Sequence, residues 1–143
     1  LRQSYTAVKG GGAFLNGRPI AVSETETLSA AVLSTGFPYD KGTNANNNAA
    51  NLSALLPKIS GVRRSGSAAF DLAQVAAGHT DGHWELRLGA YDIAAGAFLI
   101  REAGGKVLVV EDGDSRNIIA TNGRMQKELT DALRAVNPSN FPI

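Results

Sequence analysis

The stretch Asp92–Gly105, DIAAGAFLIREAGG, constrains the fold more than any other part of the chain. Eight residues without a polar side chain, Ile93 to Ile100, follow Asp92 before Arg101 breaks the run. A helix that is apolar on every side has to be covered on every side, so this one belongs between layers. It falls well short of the ~18 apolar residues that read as a membrane span. Ala94, Ala95 and Gly96 let neighbours approach closely, and Gly104-Gly105 supplies the stop. One acidic residue, Asp92, stands at its mouth.

The segments around this helix supply the covering layers. SYTAVKGGGAFLNGRPIAV predicts a strand over Tyr5–Val8, a turn at Gly10–Gly12 and a strand over Ala13–Leu15. Asn16-Gly17 between apolar segments is a hairpin signal. LSAAVLSTGF reads as a short buried strand ending at Gly36 and Pro38, followed by the polar loop YDKGTNANNN. Ala49, Leu52, Leu55, Leu56 and Ile59 recur at helical spacing, with Pro57 ending or distorting that helix. A strand is expected over Val62–Arg64. SAAFDLAQVAAG has Ser67 as N-cap, Gly78 as C-cap and small residues for close packing. HWELRL, KVLVV and NIIAT read as strands, and EDGD as a turn. Met125, Leu129, Leu133 and Val136 form one face of a closing amphipathic helix. Strands alternate with helices throughout, so the class is α/β. The 143 residues fit a single domain over 1–143, large enough for its own core. The chain enters a strand with no initiating Met, which gives the expectation of a fragment or a processed half.

Charge narrows the partners. Fourteen basic and 13 acidic residues leave a net charge of +1, without the basic excess expected of a nucleic-acid binder. No membrane-length segment and no signal-like opening is present, so no membrane partner is expected. The absence of cysteine excludes disulfides and thiolate metal sites and is compatible with a reducing cytoplasm.

Asp92 at a helix start has two readings. It can tie off free backbone amides in the favourable field of the helix terminus, worth about 0.5–2 kcal/mol. It can instead ligate a hard cation such as Mg²⁺, which takes carboxylate oxygens and completes its shell with water or phosphate oxygens. Glu85, seven residues upstream, either faces water from its strand or accepts hydrogen bonds from sugar or polyol hydroxyls. Gly66 and Ala68 either serve a turn and its packing or leave room for a bound ring. Arg63 and Arg64 suit surface ion pairs better than phosphate. His79 and His83 are four apart, but GHTDGHW reads as a turn entering a strand, which separates them as metal ligands. VKGGGAF lacks the Lys-Ser/Thr ending of a phosphate loop and precedes no helix. No G-x-S-x-G elbow and no cysteine offers a nucleophile.

Together, RRSGSAAFDLAQVAAGHTDGHWE and YDIAAGAFLIREAGG resemble the C-terminal half of the inositol monophosphatase family, with Tyr91 at the customary Trp position. YTAVKGGGAFLNGRPIAVS and STGFPYD extend the likeness over roughly residues 4 to 135. The resemblance implies the C-terminal layered sheet-and-helix half of that fold. It implies that Asp92 ligates magnesium, that Glu85 contacts substrate hydroxyls, and that Gly66, Ser67 and Ala68 line the substrate pocket. It further implies hydrolysis of a small phosphomonoester by metal-activated water, and a homodimer. The substrate would be inositol phosphate, with histidinol phosphate or fructose 1,6-bisphosphate as alternatives. The family's helix glutamate and its Asp-Pro-Ile-Asp-Gly-Thr motif have no counterpart here. The chain is therefore expected to need the missing N-terminal half, and to be inactive alone. The rival expectation is a non-catalytic binding or dimerisation module derived from the same fold.

Overall fold

The computed structural model describes residues 2–143. Its architecture is stacked layers of sheet and helix. Strands β1 (Tyr5–Val8), β2 (Gly12–Leu15) and β3 (Arg18–Ile20) form an antiparallel meander. The β2–β3 turn uses Asn16 and Gly17, both at positive φ, 50° and 76°, as the favoured two-residue hairpin turn requires. A second sheet has five strands in the order β5-β4-β6-β8-β7, with β4 at Val32–Thr35, β5 at Gly61–Arg63, β6 at Gly82–Leu88, β7 at Lys106–Asp112 and β8 at Ser115–Thr121. β4 runs parallel to β5 and β6, whereas β8 pairs antiparallel with β6 and β7.

The period-two alternation of the strands sorts side chains to the two faces of this sheet. On β8, Ile118 and Ala120 join the cluster beneath helices α2 (Ala68–Ala76) and α3 (Ala90–Glu102). Ile119 between them points to the opposite cluster, with α1 (Ala49–Leu55) and α4 (Gln126–Val136). On β6, Trp84 and Leu86 face the α1/α4 side, where Leu55, Leu129 and Leu133 are also buried. His83 and Glu85, and Ser34 on β4, are thereby assigned to the α2/α3 side. The meander adds an outer layer, with Tyr5, Ala7 and Ile20 packed against the α2/α3 cluster. Helix α3 thus lies between two sheets, but it is not covered on every side as expected: Ala94, Ala95 and Phe98 are exposed, because neither sheet reaches that face. Gly96 is the contact point with α2: a Cβ there would lie 2.5 Å from Leu72 Cβ.

Several boundaries differ from expectation: of the EDGD turn, Glu111 and Asp112 belong to β7 and only Gly113 and Asp114 turn, and β8 begins at Ser115, ahead of NIIAT. Leu28–Ala30 is a 3₁₀ turn ahead of β4 and not part of the strand. The third strand of this region is Gly61–Arg63, one residue earlier than the pattern suggested. Gly78, at φ +75°, follows the C-cap Ala77 as the left-handed residue that terminates α2. Pro57 acts as foreseen, since α1 gives way at Leu56 to a 3₁₀ turn over Leu56–Lys58.

Candidate active site

β4 and β6 end on one edge of the five-stranded sheet, where α2 and α3 begin. The gap holds a cleft of about 390 Å³, bordered by Gly66, Ser67 and Ala68 at the start of α2, Glu85 on β6, and Asp92 on α3. All five sequence-derived site residues therefore meet at one place. A larger depression of about 500 Å³, beside Leu15, Asn16, Arg18 and Ile20, has no carboxylate on its walls.

Asp92 occupies the third position of α3, and its Oδ2 accepts the Gly89 N–H at 2.9 Å. This is half of a capping box, because Gly89 has no side chain to return the bond. One carboxylate oxygen closes the helix end, and among the described residues no donor reaches the other. Capping and ligation are compatible here, since they call on different oxygens of one side chain. Ser67 caps α2 by accepting the Phe70 N–H at 3.3 Å. Gly66 precedes it at φ +92°, a conformation that costs glycine nothing.

Glu85 is buried although it is charged, with its residue only 9% exposed. Its carboxylate lies against Gly36, where a Cβ would come 2.1 Å from Oε1. Beside it are two residues with no role at this site in the sequence reading: Asp71 is not singled out there, and His83 is considered only as a metal ligand paired with His79. His83 is fully buried, with Nε2 3.2 Å from Glu85 Oε2 and Nδ1 2.9 Å from Ser34 Oγ. Asp71, in the first turn of α2, completes the acidic floor. The signal for Asp71 was a lone charge on a helix face otherwise made of Leu72, Val75 and small residues. For His83 it was a two-residue spacing from Glu85, which on a strand places both side chains on one face.

Burial pushes the Asp71 carboxyl above the ordinary carboxylate range, against the opposing pull of Ser65 and His83, while the charge of Glu85 adds to the rise. The native state therefore holds this proton more tightly than the unfolded chain does. The resulting penalty is absent below the ordinary carboxylate range and develops as pH rises through the elevated native value. Asp71→Asn is thus expected to raise the thermal midpoint at neutral pH by a few degrees, with the gain fading as pH falls below the ordinary range. Thermal unfolding at neutral and acidic pH checks this, and an equal gain at both would contradict it.

The far wall is held by the asparagine-rich loop. Asn48, buried at φ +75°, donates to Thr35 Oγ1 at 2.8 Å and to Gly36 O at 2.7 Å, and accepts from Trp84 Nε1 at 2.7 Å. These bonds pin the Gly36 backbone on which Glu85 rests. Arg87 sits at φ +56° where the β6–β8 register breaks between Glu85 and Leu88, and Asn117 Oδ1 takes up its N–H at 2.9 Å. Its guanidinium crosses to Asp40 at 2.7 Å. Arg64 lies over the Phe37 ring, 6.0 Å from its centroid, and Arg63 donates to the backbone carbonyl of Val62. His79 bonds Gln74 at 2.9 Å at the other end of α2, so it and His83 share no site.

Among the described residues, no group of three or more His, Asp or Glu side chains is arranged to hold a metal ion. The fit to a hard cation is therefore partial: one carboxylate with a spare oxygen, at a helix N-terminus, opening on a cleft with an acidic floor. No helix among those residues is long and apolar enough to cross a membrane.

The inositol monophosphatase family description matches residues 1–137. The inositol-1-monophosphatase of Synechocystis sp. is 44% identical over 138 residues, 94% of this chain and 48% of that protein. The Nus factor SuhB of Haemophilus influenzae is 39% identical over 141 residues, 96% of this chain and 53% of that protein. The solved inositol monophosphatase from Anabaena (Nostoc) sp. superposes with a TM-score of 0.89 at 44% identity, over 95% of this chain and 58% of that one. The Thermotoga maritima IMPase superposes with a TM-score of 0.82 at 32% identity, over 96% of this chain and 54% of that one. The chain spans about half the length of the curated relatives it matches. A cleft at the sheet edge between the starts of α2 and α3, the YDIAAG helix opening and these matches together place the chain in the inositol monophosphatase family.

Proposed function

We propose that this chain forms the substrate-binding and one-ligand side of a Mg²⁺-dependent phosphomonoesterase, acting on inositol phosphate or a close relative such as histidinol phosphate or fructose 1,6-bisphosphate. The observation that carries the reading is Asp92: its carboxylate caps α3 through one oxygen, the other has no donor among the described residues, and the residue borders the cleft shared with Glu85. Asp92 would hold the metal. Bound there, magnesium would supply charge neutralisation for the phosphate and an acidified water. Glu85 accepts hydrogen bonds from the substrate's hydroxyls, and its near-complete burial makes each such bond count for more than it would in water. Gly66, Ser67 and Ala68 leave the opposite wall free of bulk, so a ring can lie between the start of α2 and Glu85. One carboxylate cannot replace the several waters that Mg²⁺ must shed. The remaining ligands belong to the N-terminal half of the family's proteins, and the isolated chain is inactive in this reading. The complete protein is read as a cytoplasmic homodimer that needs neither nucleic acid nor membrane; the balanced charge of this chain is in keeping with the lack of a nucleic-acid role.

Phosphate release by the complete protein, assayed on a panel of phosphomonoesters with and without Mg²⁺, tests this. Release that depends on Mg²⁺ and is greatest with inositol phosphate is expected; no release from any ester would overturn the reading. The second reading, a non-catalytic binding or dimerisation module, draws support from relatives named Nus factor SuhB, a designation that is not that of an enzyme. The same assay separates the two.

A further inference from the structure

We propose that His83 is a positioning residue for Glu85: a buried imidazole, itself fixed by Ser34, that sets where the Glu85 carboxylate points into the cleft. The proposal rests on the substrate role assigned to Glu85 above for its kinetic consequences, but not for the contact itself. His83 and Glu85 are two apart on β6, so their side chains leave the same face of the strand. His83 is 0% exposed and Glu85 9% exposed. Ser34 Oγ, on the neighbouring strand β4, lies 2.9 Å from Nδ1, whereas its contact with Gly82 O is longer, 3.4 Å. In the tautomer we assign, the hydroxyl donates to Nδ1 and the ring carries its proton on Nε2. That nitrogen faces Glu85 Oε2 at 3.2 Å. The approach is close but bent: Nε2 completes a hydrogen bond to no protein atom, Glu85 included, so the pair is held by proximity and charge.

The carboxylate is restrained from its other sides as well. No other side chain or backbone N–H among the described residues donates to Glu85. The carboxylate lies against Gly36, where only the absence of a Cβ leaves room for Oε1. Remove the imidazole, and the buried carboxylate loses the polar group beside Oε2, so Glu85 loses its fixed orientation. Binding of substrate hydroxyls then weakens equally in the ground and transition states, and that pattern raises KM while leaving kcat in place.

The test uses the complete protein. His83→Phe keeps a planar ring in the core, and Ser34 retains Gly82 O as its acceptor. It is expected to raise KM about tenfold with kcat nearly unchanged, the size of one hydrogen bond to a charged group. His83→Gln, whose amide nitrogen reaches the position of Nε2, is expected to restore most of the loss. In a Glu85→Gln background, His83→Phe should add no further change in KM. An unchanged KM in His83→Phe, or the same increase in both backgrounds, overturns the proposal. Imidazole ¹⁵N NMR supplies a readout that needs no turnover; His83→Phe assigns the His83 signals in the complete protein, and His79, the other histidine of this chain, is the internal control. Glu85→Gln should move the Nε2 resonance of His83 and leave both His79 resonances in place; an unmoved His83 signal overturns the contact. Absence of turnover in the unmodified protein would sink the phosphatase reading alone, and the NMR shift would then decide the role of His83.

Discussion

Asp92→Asn in the complete protein is expected to lower phosphate release by roughly a hundredfold to a thousandfold, the scale seen when one fixed electrostatic partner of a developing charge is lost. The thermal midpoint should hardly move. These two expectations come from different atoms of the same side chain. The amide oxygen of Asn can still accept the Gly89 N–H that Asp92 Oδ2 accepts at 2.9 Å, so the first turn of α3 stays closed. What disappears is the negative charge that Asp92 brings to the border of the cleft. Asp92→Ala separates the contributions from the other direction. It removes both oxygens and should add a stability loss of about 1 kcal/mol, the usual cost of an N-terminal capping group, to the same loss of turnover. Phosphate release and thermal unfolding of both variants check this. Near-normal turnover of Asp92→Asn at ordinary Mg²⁺ would show that the carboxylate serves the helix end and nothing else.

The layers of the fold were legible because their causes are local. The all-apolar Ile93–Ile100 run announced a buried helix, and α3 does lie between the meander and the five-stranded sheet, although Ala94, Ala95 and Phe98 stay exposed. Asn16-Gly17 dictated a hairpin, and Ser67 and Gly78 bounded α2, because each needs only its own backbone conformation and nearest neighbours. The positions of Asp92, Glu85 and Gly66–Ala68 were legible through family resemblance, and the structure gathers them on one cleft. What the sequence hid depends on contacts between distant segments. Asn48 looked like one more residue in a polar loop, yet it joins Thr35, Gly36 and Trp84 beneath the site. Arg87 looked like an outward strand residue, but its register break puts it at positive φ and ties it to Asp40. Asp71 and His83 acquire meaning only once α2 is laid across β6. Strand order decides that, and no periodicity within either segment contains it.

Gly96→Val is expected to cost the complete protein about 3 kcal/mol of stability, at the upper end for overpacking a well-packed core. Two opposing effects set the sign. Glycine in a helix interior is worth about 1 kcal/mol less than alanine, so filling Gly96 gains something from propensity alone. Against that, a Cβ at this position would lie 2.5 Å from Leu72 Cβ and 2.8 Å from Leu72 Cδ1. Leu72 is fully buried, and its Cβ is fixed by the α2 backbone, so the overlap cannot be relieved by turning one side chain. The helices have to part. With alanine, propensity offsets much of the cost. Valine gains less than alanine from propensity and brings two more methyl groups into the same gap. At about 2–4 °C per kcal/mol for a protein of this class, the thermal midpoint should fall by roughly 6–12 °C for valine and by clearly less for alanine. The spacing of α2 and α3 also sets the cleft, because Asp71 and Ser67 ride on one helix and Asp92 on the other. Phosphate release by Gly96→Val should therefore be reduced well below its melting temperature, where the protein is still folded. Thermal unfolding and a phosphate-release assay at a fixed low temperature read the two effects separately. A valine variant that melts with the unmodified protein would mean that α2 and α3 do not meet at Gly96.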